Sequence, residues 1–170
     1  MNIFFLHYKP KRCAKYHVDR HVVKMILETC QLLCTAIILI TGKKKEELNL
    51  PCKETHVNHP SAKWARKSKQ NWLWLQQLGI ELCKEYTFRY EKKHKLEDSI
   101  INLQVPELSD EDFEDPPQAM PDEYKHEDSM QAYRNYYIHG KKHLHYWSKR
   151  HAWKNRKMPR FIREHYGIEL

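Results

Sequence analysis

The stretch from Tyr16 to Ile40 constrains the fold more than any other part of the chain, because its 25 residues include no glycine or proline. This length is enough for about six helical turns. After the first turn, apolar side chains occupy almost the whole circumference of such a helix. A helix that is apolar nearly all round is buried in its domain. We therefore predict a long core helix here, ending at Gly42 as its C-cap.

One narrow polar stripe interrupts this apolar surface. It follows the three- and four-residue spacing that places side chains on one helical face, and it consists of His17, His21, Lys24, Glu28 and Gln31. Titratable groups beside a core are costly unless they are paired or used in function. We expect the stripe to face an internal cleft and to mark the functional site.

The remaining pattern predicts two more helices. One should begin after His59-Pro60 and run over residues 61–95, with Gly79 as a close-packing point. The other should run over residues 129–149 behind the capping residue Asp128. The predicted fold is all-α: a single domain over residues 1–170, with three principal helices and long connections. Residues 105–124 form an acidic, proline-rich loop, and residues 149–170 a basic aromatic tail.

The charge of the chain favours a polyanionic partner. There are 30 Lys and Arg residues against 22 Asp and Glu, which gives a net charge of +8. Residues 106–130 carry ten acidic side chains and one lysine, whereas residues 131–170 carry ten basic and two acidic ones. This asymmetry is typical of nucleic-acid binding, although lysines also serve simply to solvate a surface.

The cysteines and the hydropathy suggest where the protein works. Its five cysteines form no CxxC pair, which favours a reduced, intracellular protein. The first nine residues lack the basic and apolar segments of a signal peptide. Charged and polar residues interrupt the apolar run of the first helix, so we expect no membrane span.

Four histidines form the first candidate site. His17 and His21 lie one helical turn apart, and His56 and His59 offer two further imidazoles on a nearby loop. Together with a spare carboxylate from Asp19 or Glu28, such a set suits zinc or iron. The HxxxH spacing alone is weak support.

Lys24 and Glu28 form the second candidate. A lysine desolvated in an apolar wall has a lowered pKa and becomes nucleophilic, with a nearby carboxylate as acid or base. The same pair is equally compatible with a buried ion pair, or with a lysine that anchors a phosphate.

Two cationic segments form the candidate nucleic-acid interface. Lys63, Arg66 and Lys67 alternate with Trp64, which combines phosphate contacts with base stacking. The alternative is that the tryptophans lie in the core and the lysines in solvent. Later in the chain, Arg134 and Lys141 are candidate anion ligands. Asp122 and Glu123 precede them either as an acid or base, or as ordinary compensation of a helix dipole.

Several motifs together resemble known proteins. They are NIFFLHYKP and KYHVDRHVVKMILETCQLLCTA near the start, THVNHPSAKWARKSKQNWLWLQQLGIELCKEYTFRYEKKHK in the middle, and QAMPDEYK with AYRNYYIHGKK later. They resemble an uncharacterised family of phage and giant-virus proteins over about residues 1–150. The order of Asp19–Glu28, His59-Pro60 with Trp64, and Leu82–His94 is similar to the pyrimidine-dimer DNA glycosylases of the endonuclease V type.

The second resemblance implies a small all-α fold and base excision on duplex DNA without a cofactor. In that family, the free amine of a processed N-terminus attacks the sugar and forms a Schiff base with the help of a carboxylate. This chain departs from the pattern, because Asn2 should discourage removal of Met1. The amine would then belong to Met1 or to Lys24, and we favour Lys24. Glu28, Asp19 and His21 would complete the catalytic set.

Three functions therefore remain open from the sequence. The first is a DNA glycosylase/AP lyase, which would work in the cytoplasm, or in the host nucleus if the protein is viral. The second is a metal-dependent hydrolase or nuclease that uses the four histidines. The third is a nucleic-acid-binding protein without enzymatic activity, in which the polar stripe satisfies its own hydrogen bonds. The lesion recognised and the oligomeric state stay open.

Overall fold

A computed structural model describes residues 1–169 and is mostly helical, in agreement with the predicted class. In chain order the helices are α1 (Pro10–Tyr16), α2 (Asp19–Thr41), α3 (Pro60–Ala65), α4 (Lys69–Tyr90), α5 (Glu97–Asn102), α6 (Ser129–Asn135) and α7 (Arg160–His165). Between α6 and α7 lies a small antiparallel hairpin of β1 (Tyr146–Trp147) and β2 (Arg150–His151). Short 3-10 turns at Asp122–Tyr124 and Lys142–Leu144 complete the elements.

The first predicted helix begins later than predicted, and a separate short helix, α1, precedes it. The backbone is extended at His17 and Val18, so α2 begins at Asp19 instead of Tyr16. Distant groups hold this break open: the hydroxyl of Tyr137 accepts a hydrogen bond from the Val18 N–H at 3.0 Å, and the Arg89 guanidinium donates to the His17 carbonyl at 2.8 Å. Gly42 ends α2 with φ 65° and donates to the Ile38 carbonyl at 2.9 Å, which confirms the predicted cap.

The two later helices are also shorter than predicted. Ser68 starts α4 as its N-cap, since its side chain accepts a hydrogen bond from the Asn71 N–H at 3.1 Å, and this separates α3 from α4. The predicted helix over residues 129–149 ends at Asn135 and passes through a π turn (Tyr136–Gly140) toward the hairpin. Three principal helices are thus not confirmed; the long helices are α2 and α4, of 23 and 22 residues.

The core forms where α2 packs against α4. Gly79 is a point of close contact, because a Cβ there would lie 3.0 Å from the Thr29 Cγ2 atom and 3.2 Å from the Ile100 Cγ2 atom. A side chain at this position would force these neighbours to move by a few tenths of an ångström. The close packing predicted for Gly79 is confirmed.

By length and composition alone, α2 qualifies as a membrane span, with a mean hydropathy of 1.9 over an 18-residue window. Lys24 and Glu28 interrupt the apolar run, as expected from the sequence, but two charged residues are too few to take the helix out of the hydropathy range of membrane spans. In the structure, 61% of that window is buried inside the protein. A core helix passes the same test, and burial of this kind is what a core helix shows.

The acidic loop over residues 105–124, called the acidic connection below, packs against the rest of the protein and does not extend freely into solvent. The Lys69 N–H donates to the Ser109 carbonyl at 2.8 Å, and the Glu114 N–H donates to the Asn71 Oδ1 atom at 3.0 Å. The ring of Phe113 lies 6.1 Å from Trp64 and 5.6 Å from Trp74. These contacts hold the connection against the start of α4, so it is part of the folded structure and not a solvated loop.

Candidate active site

The beginning of the chain lies along α2. Ile3 to Leu6 are buried, and the Phe4 ring stacks on His21 with centroids 4.2 Å apart. At the other end of this segment, the Asn2 N–H donates to the Glu28 Oε2 atom at 3.0 Å. The N-terminal segment, residues 1–6, therefore runs beside the polar stripe of α2, and its first two residues lie next to Glu28.

Contacts from the second half of the chain hold the N-terminal segment in place. The Asn2 side-chain amide donates to the Ala119 carbonyl at 3.0 Å, and its Oδ1 atom lies 3.0 Å from the Tyr133 hydroxyl. Arg134 donates through Nε to the Leu6 carbonyl at 3.1 Å. Since each end of the segment is bonded separately, the first amine has little freedom to leave Glu28.

Two amines approach the Glu28 carboxylate, in very different surroundings. The Met1 ammonium lies 4.0 Å from Oε2, and the Lys24 Nζ atom lies 3.8 Å from Oε1. The Glu28 side chain is 12% exposed, whereas the Lys24 side chain is 66% exposed. The expectation of a lysine desolvated in an apolar wall therefore does not match its position, because solvent surrounds most of Lys24.

His59 adds an imidazole to this cluster. Burial lowers its pKa most, and the charges of the N-terminal ammonium and His56 act in the same direction, while Glu28 opposes them. The His59 Nδ1 atom accepts a hydrogen bond from the Ser61 N–H at 3.1 Å, which leaves Nε2 as the protonated nitrogen of the neutral ring. The site thus combines an amine, a carboxylate and an imidazole.

Asp19 does not join this cluster. It begins α2, nine residues before Glu28, which corresponds to about 14 Å along the helix axis. Its Oδ1 atom accepts from the Arg89 Nη1 atom and from the Lys154 N–H, each at 2.9 Å. Since a guanidinium group and a backbone N–H already bind this carboxylate, its position fits a structural role and not the predicted catalytic one.

The four predicted metal-binding histidines are not brought together. His17 is buried, with Nδ1 2.7 Å from the Cys13 carbonyl, and His21 is buried, with Nδ1 2.7 Å from the Tyr137 hydroxyl. Burial lowers the pKa of His17 to about 4 and that of His21 to about 2. His56 is exposed. Over residues 1–169, the side chains that form a group with metal-ligand spacing are three cysteines instead.

Of the residues predicted to bind nucleic acid around Trp64, two are already engaged by the acidic connection and two are not. Trp64 is 5% exposed, and its indole donates to the Glu114 carbonyl, so the ring is not free to stack on a base. Lys67 forms an ion pair with Glu114, because the acidic connection folds over this patch. Lys63 is exposed and Arg66 half-buried.

Arg134 and Lys141 lie on the other side of the site. Besides its bond to Leu6, Arg134 covers the Phe161 ring at 5.1 Å. The Lys141 Nζ atom lies 4.9 Å from the centre of the Tyr136 ring and 5.9 Å from that of Phe4. Lys141 therefore sits at the edge of the N-terminal segment, where a phosphate can reach it.

The sequence interpretation missed the residues that build the site from a distance. Asn2 had been considered only for its effect on Met1, and Tyr133 and Tyr137 only as helix-face residues. It also missed a groove of about 1050 Å³ beside the hairpin, whose lining includes Arg20, Lys149, Arg150 and the 83% exposed Trp147. The aromatic and basic composition of residues 143–154 was the available signal for this surface.

Comparison with known proteins agrees with this geometry. The family model described as pyrimidine dimer DNA glycosylase matches residues 1–98, a region that includes the N-terminal segment, Glu28 and His59. Searches of curated proteins and of solved structures found no match. Because the family match covers 98 of 170 residues, more than half of the chain, the protein belongs to the pyrimidine dimer DNA glycosylase family.

Proposed function

We propose that the protein is a DNA glycosylase and AP lyase that excises a damaged pyrimidine from duplex DNA, with the main-chain amine of Met1 as nucleophile and Glu28 as acid and base. The observation that supports this most directly is the placement of the chain start at Glu28. The Met1 ammonium lies 4.0 Å from the Glu28 Oε2 atom, and the Asn2 N–H lies 3.0 Å from the same oxygen.

The chemistry begins with a proton transfer. Glu28 accepts a proton from the Met1 ammonium, which frees the amine lone pair. The amine attacks the sugar C1′ atom and forms an N–C1′ bond while the C1′–base bond breaks, and the base leaves with the electron pair and takes the proton that Glu28 had accepted. Glu28 then moves a proton from the new C1′ ammonium group to O4′, so that the sugar ring opens and a Schiff base forms. Loss of a C2′ proton to the Glu28 carboxylate and departure of the 3′ phosphate oxygen cleave the strand, and water releases the product.

The choice of Met1 over Lys24 follows from their surroundings. An amine reacts only when it is unprotonated and held in position. Three independent hydrogen bonds, from Asn2 and Arg134, hold the N-terminal segment. Lys24 extends into solvent, where it suits a phosphate of bound DNA. We therefore assign Lys24 to DNA binding, in place of the catalytic role expected from the sequence.

The DNA surface of this proposal includes cations around the site, of which Lys141 is half-buried and the others are exposed. Arg20 and Lys24 lie on the exposed face of α2, and Lys141 lies across the N-terminal segment. The hairpin adds Lys149 and Arg150 around the exposed Trp147 ring. Basic side chains bind phosphates without regard to sequence, and an aromatic ring stacks on an unpaired base. An enzyme that acts on a base must first move it out of the stack.

Borohydride trapping tests the proposal. The protein is incubated with duplexes that carry either a thymine dimer or an abasic site, reduced, digested and sequenced by mass spectrometry. We expect a covalent adduct on the peptide that begins with Met1. Lys24→Ala should retain the adduct, and an extension of two residues before Met1 should abolish it, because the amine would be displaced from Glu28.

An adduct on Lys24, or an adduct that survives the N-terminal extension, would contradict the assignment of the amine. Reaction with the abasic duplex but not with the dimer would restrict the activity to the lyase step. The matched control for folding is the thermal midpoint of each variant, which the extension should leave within about 2 °C, since it adds no buried group.

A further inference from the structure

The second half of α2 carries a cluster of three thiols that the proposed reaction does not use. Cys30 and Cys34 lie one helical turn apart, and Cys52 reaches them from the connection between α2 and α3. The three Sγ atoms all lie within 4.8 Å of one another, and those of Cys30 and Cys52 are 3.6 Å apart. All three side chains are buried. A helix and a loop thus converge on one point with three soft ligand atoms.

The spacing fits coordination of a metal ion. With metal–sulfur bonds of about 2.3 Å, two thiolates around a tetrahedral ion lie about 3.8 Å apart, and around a trigonal ion about 4.0 Å apart. The one measured pair is 3.6 Å apart and no pair exceeds 4.8 Å, so small rotations of the side chains would complete a triangle. A disulfide requires about 2.05 Å between two sulfurs and leaves the third without a partner.

The other two cysteines stand apart from this cluster. The Cys13 thiol donates a hydrogen bond to the Phe4 carbonyl at 3.1 Å, and burial raises the pKa of Cys13 and of Cys83 to about 12. Cysteines that only fill space behave like these two. The cluster differs in its geometry, since three Sγ atoms meet at one point.

We propose that Cys30, Cys34 and Cys52 bind one soft d10 metal ion, Zn²⁺ or Cu⁺, through three thiolates. Binding forms three metal–sulfur bonds, and the thiol protons that these bonds replace go to solvent. Cu⁺ is satisfied by three thiolates, whereas Zn²⁺ would add a fourth ligand such as water. The inference does not depend on the glycosylase chemistry, since no reacting group belongs to the cluster.

A metal ion at this site would link α2 to the connection between α2 and α3, which includes Cys52 and leads to His59. A hydrogen bond of 3.1 Å from the Thr55 N–H to the Thr35 Oγ1 atom already joins the two a few residues further on. A metal ion at Cys52 would fix the same connection more strongly, because the folded chain binds the ion and the unfolded chain does so weakly. Stability should therefore depend on the metal.

The test measures bound metal directly. The full chain is purified under reducing conditions and analysed for zinc and copper, then stripped and titrated with Co²⁺. We expect one ion per chain and an intense sulfur-to-cobalt charge-transfer band. Cys52→Ser and Cys34→Ser should lose both signals. Cys13→Ser, which retains a donor for the Phe4 carbonyl, is the matched control and should keep them.

Thermal unfolding provides a second measurement that does not require DNA. A chelator should lower the midpoint of the wild type and of Cys13→Ser, and leave that of Cys52→Ser unchanged. Absence of metal and of a cobalt band in the wild type would overturn the proposal, as would retention of the ion by Cys52→Ser. Rapid formation of a Cys30–Cys52 disulfide in air without metal binding would also overturn it and would indicate a redox pair.

Discussion

Helix α2 carries two carboxylates, Asp19 at its first residue and Glu28 near its middle, which mark the two ends of the site and have opposite surroundings. Asp19 accepts hydrogen bonds from Arg89 and the Lys154 N–H, and Arg89 also binds Glu85, which in turn accepts from Arg156 at 2.8 Å. Glu28 accepts one close bond, from the Asn2 N–H, and has its two amines at 3.8 and 4.0 Å.

Under the proposed function, this difference separates a structural carboxylate from a reactive one. At the Asp19 end, two cations and two carboxylates neutralise one another around the fully buried Arg89 side chain. Such a network is rigid, and each member depends on the others. At the Glu28 end, the carboxylate accepts one close hydrogen bond and has its two amines at longer distances. Incompletely paired groups of this kind are typical of active sites.

The largest expected effect separates the two carboxylates by activity. Glu28→Gln should lower the rate of dimer excision by about 10²–10⁴-fold, the usual contribution of a general acid or base. The thermal midpoint should change little, because the amide still accepts the Asn2 hydrogen bond. Asp19→Asn should have the reverse result, with near-normal activity in the folded fraction and lower stability. Comparable losses of activity in both variants would break the comparison.

The next effect concerns the stability of the Asp19 end. Arg89→Met should destabilise the protein by about 3–5 kcal/mol, since it leaves two carboxylates without their buried cation. Arg156→Met is the matched control, because Arg156 is partly exposed and its loss should cost less. Urea unfolding at pH 7 measures both. A loss below about 1 kcal/mol for Arg89→Met would show that the network is not a structural centre.

The stability contributed by the Asp19 end, where His17 is buried, should also decrease in acid. Burial lowers the pKa of His17 from 6.5 to about 4, so the folded protein keeps it neutral. Stability is therefore full above pH 6.5 and decreases as the pH falls toward 4, by about 3 kcal/mol from this group. The ion pairs of Glu85 lower its pKa despite burial, which adds an acid loss at lower pH.

Urea unfolding between pH 7 and pH 4 measures this dependence as a slope. His17→Gln should reduce the slope between pH 6.5 and 4, to which buried His21 also contributes, whereas His59→Gln should alter it much less because His59 is only partly buried. An unchanged slope in His17→Gln would contradict burial of a neutral His17.

A smaller effect tests the hairpin as part of the DNA surface. Trp147→Ala should weaken binding to a damaged duplex by about 1–3 kcal/mol, the range for loss of one stacking ring. Trp147→Phe should recover most of it. Fluorescence anisotropy with dimer-containing and intact duplexes measures the change. Equal affinities for the wild type and Trp147→Ala would remove the hairpin from the interface.

The smallest effect is expected for Lys24. Lys24→Ala should reduce the slope of log affinity against log salt by about one, as for the loss of a single phosphate contact. Excision at saturating DNA should be nearly unchanged. A loss of activity as large as that of Glu28→Gln would return Lys24 to the catalytic position that the sequence suggested.

Local patterns predicted the parts of the structure that depend on neighbouring residues. The apolar run predicted the core helix, Gly42 its end and Gly79 its contact, because helical periodicity and capping operate over a few residues. The helix breaks at His17 and Ser68 and the hairpin were missed. The first depends on Tyr137 and Arg89 from distant segments, and no spacing rule within ten residues contains that information.

The sequence by itself determined a buried helix with Lys24 and Glu28 on its polar stripe, since these positions follow from the geometry of one helix. Only the tertiary structure brings a second amine, that of Met1, to Glu28. Asn2 reaches Glu28 across 26 positions, Ala119 across 117 and Tyr133 across 131. Such contacts form only when the whole chain packs, because the entropy of closing these long loops is offset by the core as a whole.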